Sequence, residues 1–221
     1  MLVKEITNTE ISPLKVADTV AAALLRLDLL HTSRIPVVDE ESRLVGMASL
    51  DKLIEVVDDN TPLRELELSD PISVPPHQHL FEAARIMLAK ELYLLPVAEQ
   101  NMQFVGMIKK QDVLTALGNV FNLSSYGSVI TVELDYNDFT LSDLVRIIEM
   151  EGAKILGVAV QQPDEESVSY RVSFKLNLQD SSVISSGLRR FGYTILSEAN
   201  SEILEGDFSD RADELIRYLD I

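Results

Sequence analysis

The residues able to do chemistry in this 221-residue chain are few and scattered. His77 and His79 flank Gln78, and on an extended segment alternate residues share a face, so the pair would present two imidazoles to one metal ion. No third ligand stands near them. Pro75-Pro76 precede the pair and an apolar helical pattern follows, so a lead-in to a helix is the better reading. The absence of cysteine removes disulfides, thiolate metal sites and cysteine nucleophiles together. There is no Gly-x-Ser-x-Gly, no Walker loop and no dinucleotide glycine fingerprint. Asp58-Asp59 lie in a polar stretch and read as solvated carboxylates. With no cluster of nucleophile, base and oxyanion donor, the chain is expected not to be an enzyme and to require no metal or cofactor.

Composition narrows the classes further. A hydrophobic content of 46% supports a buried core, and 19 basic against 36 acidic residues give a net charge of −17. Such a surface repels a phosphate backbone, and the densest basic pairs, Lys109-Lys110 and Arg189-Arg190, are too short to form a patch, so no nucleic-acid partner is expected. Met1-Leu2-Val3-Lys4-Glu5 lacks the basic start and apolar centre of a signal peptide. No apolar run approaches the roughly 20 residues that cross a bilayer. The expectation is a cytoplasmic protein with no membrane partner.

The elements that would position any site come from an internal repeat. At a constant offset of 60, Ile35-Pro36-Val37-Val38-Asp39 falls on Leu95-Pro96-Val97-Ala98-Glu99, and Leu44-Val45-Gly46-Met47 falls on Phe104-Val105-Gly106-Met107. Polar turns separate the blocks in each copy, so each reads as a hairpin. Ahead of the hairpins, Val20, Ala23, Leu24 and Leu27 in one copy, and Leu80, Ala83, Ala84 and Met87 in the other, follow a helical period. Behind them a second helix is expected, carrying Leu50, Leu53, Ile54 and Val57, or Val113, Leu114 and Leu117. Each unit is strand–helix–strand–strand–helix and too small to cover its sheet alone, so the two should pack together.

The second half has another pattern. Residues 119–128 are polar and turn-rich and read as a linker. Val129 to Leu134 reads as a strand. A helix follows, with Thr140 and Asp143 as a capping box, Leu141, Leu144, Val145 and Ile148 on one face, and Gly152 as its stop. Ile155 to Val160 is an apolar strand, Pro163 to Glu166 a turn, and Val168 to Leu176 an alternating strand. A helix from about Asp180, with Val183, Ile184, Leu188 and Phe191 buried, leads to a last strand at Gly192 to Leu196. The order strand–helix–strand–strand–helix–strand is ferredoxin-like. In the acidic tail, 199–221, Ala212, Leu215, Ile216 and Leu219 suggest a terminal helix that docks on its own domain or a partner subunit.

The hydrophobic-Pro-Val block followed by the Val-Gly block, recurring over residues 3–118, resembles the CBS domain, with copy one at about 3–58 and copy two at about 62–118. Glu151-Gly152-Ala153-Lys154-Ile155-Leu156-Gly157-Val158 resembles the ACT domain, over about 129–198. The whole resembles bacterial regulatory proteins of the acetoin-utilisation type: an α/β (α+β) chain with a tandem CBS pair, or Bateman module, before a ferredoxin-like ACT-type domain.

The resemblance implies homodimers and adenine nucleotides in the cleft of the pair, beside the Pro-containing strands (Ile35, Pro36, Leu95, Pro96). It also implies a motif of Gly, Ser or Thr three residues on for phosphate, and Asp three further for the ribose diol. Copy one carries Gly46 and Ser49 but has Lys52 where the Asp belongs, with Asp51 one residue early and about 100° round a helix. Copy two carries Gly106 and Asp112 but has Lys109 at the hydroxyl position. Copy two is therefore the expected nucleotide site, with Asp112 on the ribose and Lys109 as a point charge for phosphate. ACT domains take ligand carboxylates at the turn after their first strand. Here that turn holds Asp135, Tyr136, Asn137, Asp138 and Phe139, where bulk and negative charge oppose such a ligand. Two functions follow: a regulatory module that senses a small molecule, an adenine nucleotide or related ligand, in the CBS cleft, or a structural protein-interaction module with decayed pockets.

Overall fold

A computed structural model describes residues 1–135, 139–163 and 168–199. The chain forms two compact units, Met1–Leu117 and Gly118–Ile221.

In the first unit β1 (Leu14–Lys15) leads to α1 (Val20–Leu29), the hairpin β2 (Arg34–Val38) and β3 (Leu44–Ser49), and α2 (Leu50–Leu53). The second copy repeats this with α3 (Leu80–Ala89), β4 (Leu94–Ala98), β5 (Phe104–Lys109) and α4 (Lys110–Val120). Its opening strand shrinks to one bridge, Val74 beside Val97, where β1 pairs two residues with β2. The 60-residue repeat extends to the backbone. His31 and Glu91 close α1 and α3 with φ of 48° and 53°, and Ser42 and Met102 turn the hairpins with φ of 62° and 63°. Both hairpins shift register at the same place, after Val37 and after Val97.

Val20, Ala23 and Leu27 are buried on α1, and Leu80, Ala83 and Met87 on α3, as their period requires. They meet Ile35, Val37, Leu95 and Val97 of the hairpins, all solvent-free. One cluster joins the copies, since Leu94 and Met107 pack with Ile11, Leu27, Ile35 and Leu63. The helix expected after the first hairpin is a single turn. Leu53 is buried, but Ile54 is 67% exposed and Val57 lies wholly in solvent. On α4, Val113 and Ala116 make the buried stripe, while Leu114 is exposed.

In the second unit β6 (Val129–Asp135), α5 (Leu141–Met150), β7 (Ile155–Gln161), β8 (Ser169–Leu176), α6 (Ser182–Arg190) and β9 (Thr194–Ala199) follow in order. The sheet order is β7-β8-β6-β9, with every neighbouring pair antiparallel. This is the ferredoxin-like arrangement. Ile130, Val132 and Leu134 on β6, with Val172, Phe174 and Leu176 on β8, form the buried face under Leu144, Ile148, Ile184 and Leu188. The other face is polar: Thr131 bonds Ser173 at 2.9 Å, and Ser169 donates to Glu133 at 2.8 Å.

Three local expectations change here. Thr140 is the N-cap residue of α5 but makes no side-chain cap bond, and Asp143 faces Arg146 instead, at 4.0 Å. Val183 and Phe191, expected in the core, are exposed, because α6 turns Ile184, Ser185 and Leu188 inward. The stretch read as a linker begins as the last turn of α4 and then ties itself to the second unit. Asn122 Nδ2 donates to the Leu156 carbonyl at 2.7 Å, and Ser128 exchanges backbone bonds with Leu176 and Leu178. The turn at 163–166 and the terminal helix fall at or beyond the edge of the described residues, as do Tyr136, Asn137 and Asp138.

Several carboxyls sit below their ordinary range. Backbone N–H donation from Arg43 lowers Asp39, with the guanidinium adding at 2.9 Å. The Arg85 side chain lowers Glu82, and the Ser182 N–H lowers Asp180. A carboxyl depressed on folding stabilises the fold above its unfolded pKa of about 4, and that contribution is lost as pH falls toward the folded value. The thermal midpoint should therefore hold above about pH 5 and drop below about pH 4. Calorimetry in overlapping buffers checks this; a midpoint rising down to pH 3 would mean that relief of the acidic self-repulsion dominates.

Candidate ligand-binding site

The copies of the first unit exchange their leading segments. Residues 1–9 serve copy two: Val3 and Lys4 donate backbone N–H groups to Gln78 and Pro76, and Asn8 exchanges two backbone bonds with Met107, at 2.8 and 2.9 Å. Residues 61–69 serve copy one: Leu63 and Arg64 donate to Asp18 and Val16, and Ser69 exchanges two bonds with Met47, at 3.0 and 3.1 Å. Each crossing segment lies on the edge of a hairpin at its Val-Gly step. A Cβ on Gly46 would stand 2.7 Å from Leu68 Cβ, and one on Gly106 would stand 2.7 Å from the Asn8 carbonyl. The motif glycines are thus set by close approach of another backbone.

Beside Gly46 the crossing segment, β3 and α2 enclose a cavity of about 290 Å³. Met47, Ala48, Leu53, Val56, Leu66 and Leu68 give apolar walls, and Ser49, Lys52, Glu55 and Glu67 supply the polar groups. Ser49 is 5% exposed at the end of β3. The Asp51 carboxyl is held below its ordinary range, chiefly by the Ser49 hydroxyl. Lys52 Nζ donates across the cleft to the Glu67 carbonyl at 3.2 Å. Copy one therefore brings Ser49 and Lys52 to one cavity, with a carboxylate beside the hydroxyl.

In copy two, Lys109 ends β5 exposed, and Asp112 lies in the first turn of α4. The Asp112 Oδ2 accepts the Lys109 backbone N–H at 3.4 Å, a long bond that leaves acceptor capacity over. Lys110 lies over the Tyr93 ring, 5.3 Å from its centre. The two copies thus place opposite charge at equivalent positions: Lys52 in one, Asp112 in the other. Ile35, Pro36, Leu95 and Pro96 lie in the buried strands, opposite Ala48, Met47, Ile108 and Met107, and none of the four lines the copy-one cavity. The contributions of Leu66, Glu67 and Leu68 were not visible beforehand, since nothing in the repeat shows that the chain crosses over.

The family model for the CBS domain matches residues 3–59 and 63–119. The chain belongs to the CBS domain family. CBS pairs are regulatory ligand-sensing modules, and their sequences also occur inside proteins with enzyme names, as regulatory parts. The uncharacterized protein YtoI of Bacillus subtilis is 32% identical over 84 residues, which are 38% of this chain and 19% of YtoI. The chain spans about a fifth of the length of the first curated relatives it matches. Similar solved structures include a CBS domain pair/ACT domain protein from Thermotoga maritima, 23% identical over 54% of this chain and 98% of that one, with a TM-score of 0.49. The acetoin utilization protein AcuB of Vibrio cholerae is 26% identical over 56% of this chain and 95% of its own, with a TM-score of 0.48. The ferredoxin-like assignment of the second unit rests on its own strand order.

His79 and Phe139 have structural partners. The Phe81 N–H donates to His79 Nδ1 at 3.2 Å, so His79 caps α3, and its ring stands edge-on to Phe81 at 4.6 Å. No group of three or more potential metal ligands occurs among the described residues. Phe139 packs on Tyr170 with ring centres 4.4 Å apart, closing the second unit's core. No helix among the described residues is long and apolar enough to cross a membrane.

Proposed function

We propose that this protein is a cytoplasmic regulatory sensor, not an enzyme, whose CBS pair binds small molecules and whose C-terminal unit is an ACT-type domain. The observation that carries the reading is the cavity beside Gly46, because its walls come from both sides of the crossover. A ligand there contacts β3 and α2 of copy one together with the segment at 66–68 that leads into copy two. Differential affinity for two arrangements of these parts is the minimum that regulation requires. An adenine nucleotide is the ligand proposed for copy two, with Asp112 on the ribose and Lys109 facing phosphate.

The working form is a homodimer. Leu25 and Leu29 on α1, with Phe81 and Leu88 on α3, are exposed apolar side chains on helices, and Ile54 and Leu114 add to them. Pairing through such surfaces would remove them from water.

The experiment is calorimetry with AMP and ATP on the parent, Asp112→Ala and Ser49→Ala, all checked for fold. Losing charge-assisted bonds to a ribose diol should weaken binding about ten- to a hundredfold in Asp112→Ala and little in Ser49→Ala. The reverse ranking would place the nucleotide in copy one. Light scattering on the same samples should give twice 24.6 kDa; the monomer mass would overturn the dimer. The competing reading, an interaction module with spent pockets, draws on the internal bond already made by Asp112 and on the Lys52 bond to the Glu67 carbonyl. It becomes the better account if millimolar ligands leave the melting temperature unchanged, since a ligand at a hundred times its Kd stabilises by about 2.7 kcal/mol.

A further inference from the structure

The charges around the copy-one cavity have the wrong arrangement for a nucleotide. A ribose diol calls for an acceptor, and Lys52 offers only donors. A phosphate calls for positive charge and free donors, and next to Ser49 stands the Asp51 carboxyl, held below its ordinary range chiefly by the Ser49 hydroxyl. Glu55 and Glu67 are the two acids that line the cavity itself. Against these, one ammonium is available: Lys52 Nζ bonds only a neutral carbonyl, that of Glu67, and makes no ion pair among the described residues. The interior beyond the charges is apolar, formed by Met47, Leu53, Val56, Leu66 and Leu68. At about 290 Å³ it stands at the lower limit of small-molecule pockets, which run from about 300 to 1,000 Å³.

A cavity with one positive group, two negative groups and an apolar interior matches a zwitterion that carries an apolar side chain. We propose that the copy-one cavity binds a free apolar α-amino acid, its carboxylate on Lys52, its ammonium toward Glu55 and Glu67, and its side chain against Leu53, Val56 and Leu66. This rests on the sensing role proposed above and gives the two copies different ligands. The opposite charges at positions 52 and 112 are then the specificity determinants. Binding replaces the Lys52 bond to a neutral carbonyl with an ion pair, so ligand and crossing segment compete for the same ammonium.

The test uses the full chain and four probes by calorimetry: L-leucine, its des-amino analogue 4-methylpentanoate, its decarboxylated analogue 3-methylbutylamine, and AMP. Leucine should bind at least about tenfold more tightly than either analogue, each of which leaves one charge of the site unmatched. Lys52→Gln should weaken leucine about tenfold and leave the amine unaffected. Glu55→Gln with Glu67→Gln should weaken leucine and leave 4-methylpentanoate unaffected or improved. All three positions are exposed, so the variants should fold, and circular dichroism checks this. Leucine binding that is indifferent to both sets of variants overturns the assignment. If AMP binds and leucine does not, the inference fails while the sensing role stands. If no probe binds at millimolar concentration, both fail.

Discussion

Gly106→Ala is expected to cost the first unit about 2–3 kcal/mol and roughly 10 °C in melting temperature. The added methyl would stand 2.7 Å from the Asn8 carbonyl oxygen and 2.7 Å from Thr7 Cγ2. The carbonyl is backbone, fixed by two bonds to Met107, so it cannot swing away as a long side chain would. The crossing segment must lift, and those two bonds are strained or lost. Gly118→Ala is the control. It lies near the end of α4 and its added methyl meets only Leu123, at 4.0 Å. There the substitution should be neutral or stabilise by up to about 1 kcal/mol, from lower chain entropy in the unfolded state. Differential scanning calorimetry on both variants decides the matter. Equal melting temperatures would show that the Val-Gly glycine is not set by the crossover.

Phe174→Ala should have the larger effect, about 3–5 kcal/mol, confined to the second unit. Phe174 is fully buried at the centre of the four-stranded sheet, opposite Ile130 on one side and Val158 on the other. Removing the ring takes away its transfer energy and leaves a cavity between β8 and the helices. A loss of this size is comparable with the whole stability of a small domain. Two separate transitions are expected, the first unit's unchanged and the second's strongly lowered or absent. A single transition shifted as a whole would show that the two units unfold as one.

Much of this architecture is legible in the sequence because it is periodic. The offset between Ile35-Pro36-Val37 and Leu95-Pro96-Val97 predicts two hairpins, and the structure repeats even their register shifts. The apolar alternation in Val168 to Leu176 and the helical spacing of Leu144 and Ile148 likewise predict the second unit's sheet and its cover. Expectations failed where a local pattern had to predict a tertiary fact. Leu50, Leu53, Ile54 and Val57 have helical spacing, yet the chain leaves the helix after Leu53 to reach the crossing at 61–69. Thr140 and Asp143 have the spacing of a capping box, but Arg146 one turn on takes the carboxylate. At the candidate site the spacing predicts Ser49 and Lys109 at the ends of β3 and β5, with Lys52 and Asp112 in the helices that follow. It says nothing of Leu66 to Leu68, which complete the cavity from a segment that sequence assigns to the other copy.

The crossover also means that the unit of sequence is not the unit of folding. The repeat runs in phase with its own landmarks, from about residue 3 and from about residue 63, and a fragment cut there would look complete. It would lack the segment that seals its hairpin edge and would carry one that belongs to its sister. A copy that keeps its own edge must instead begin near residue 10 and run through Ser69. In the present chain a cut at the motif's own bounds therefore opens a hairpin edge in each copy, whereas a cut near residue 10 and after Ser69 leaves the first copy closed.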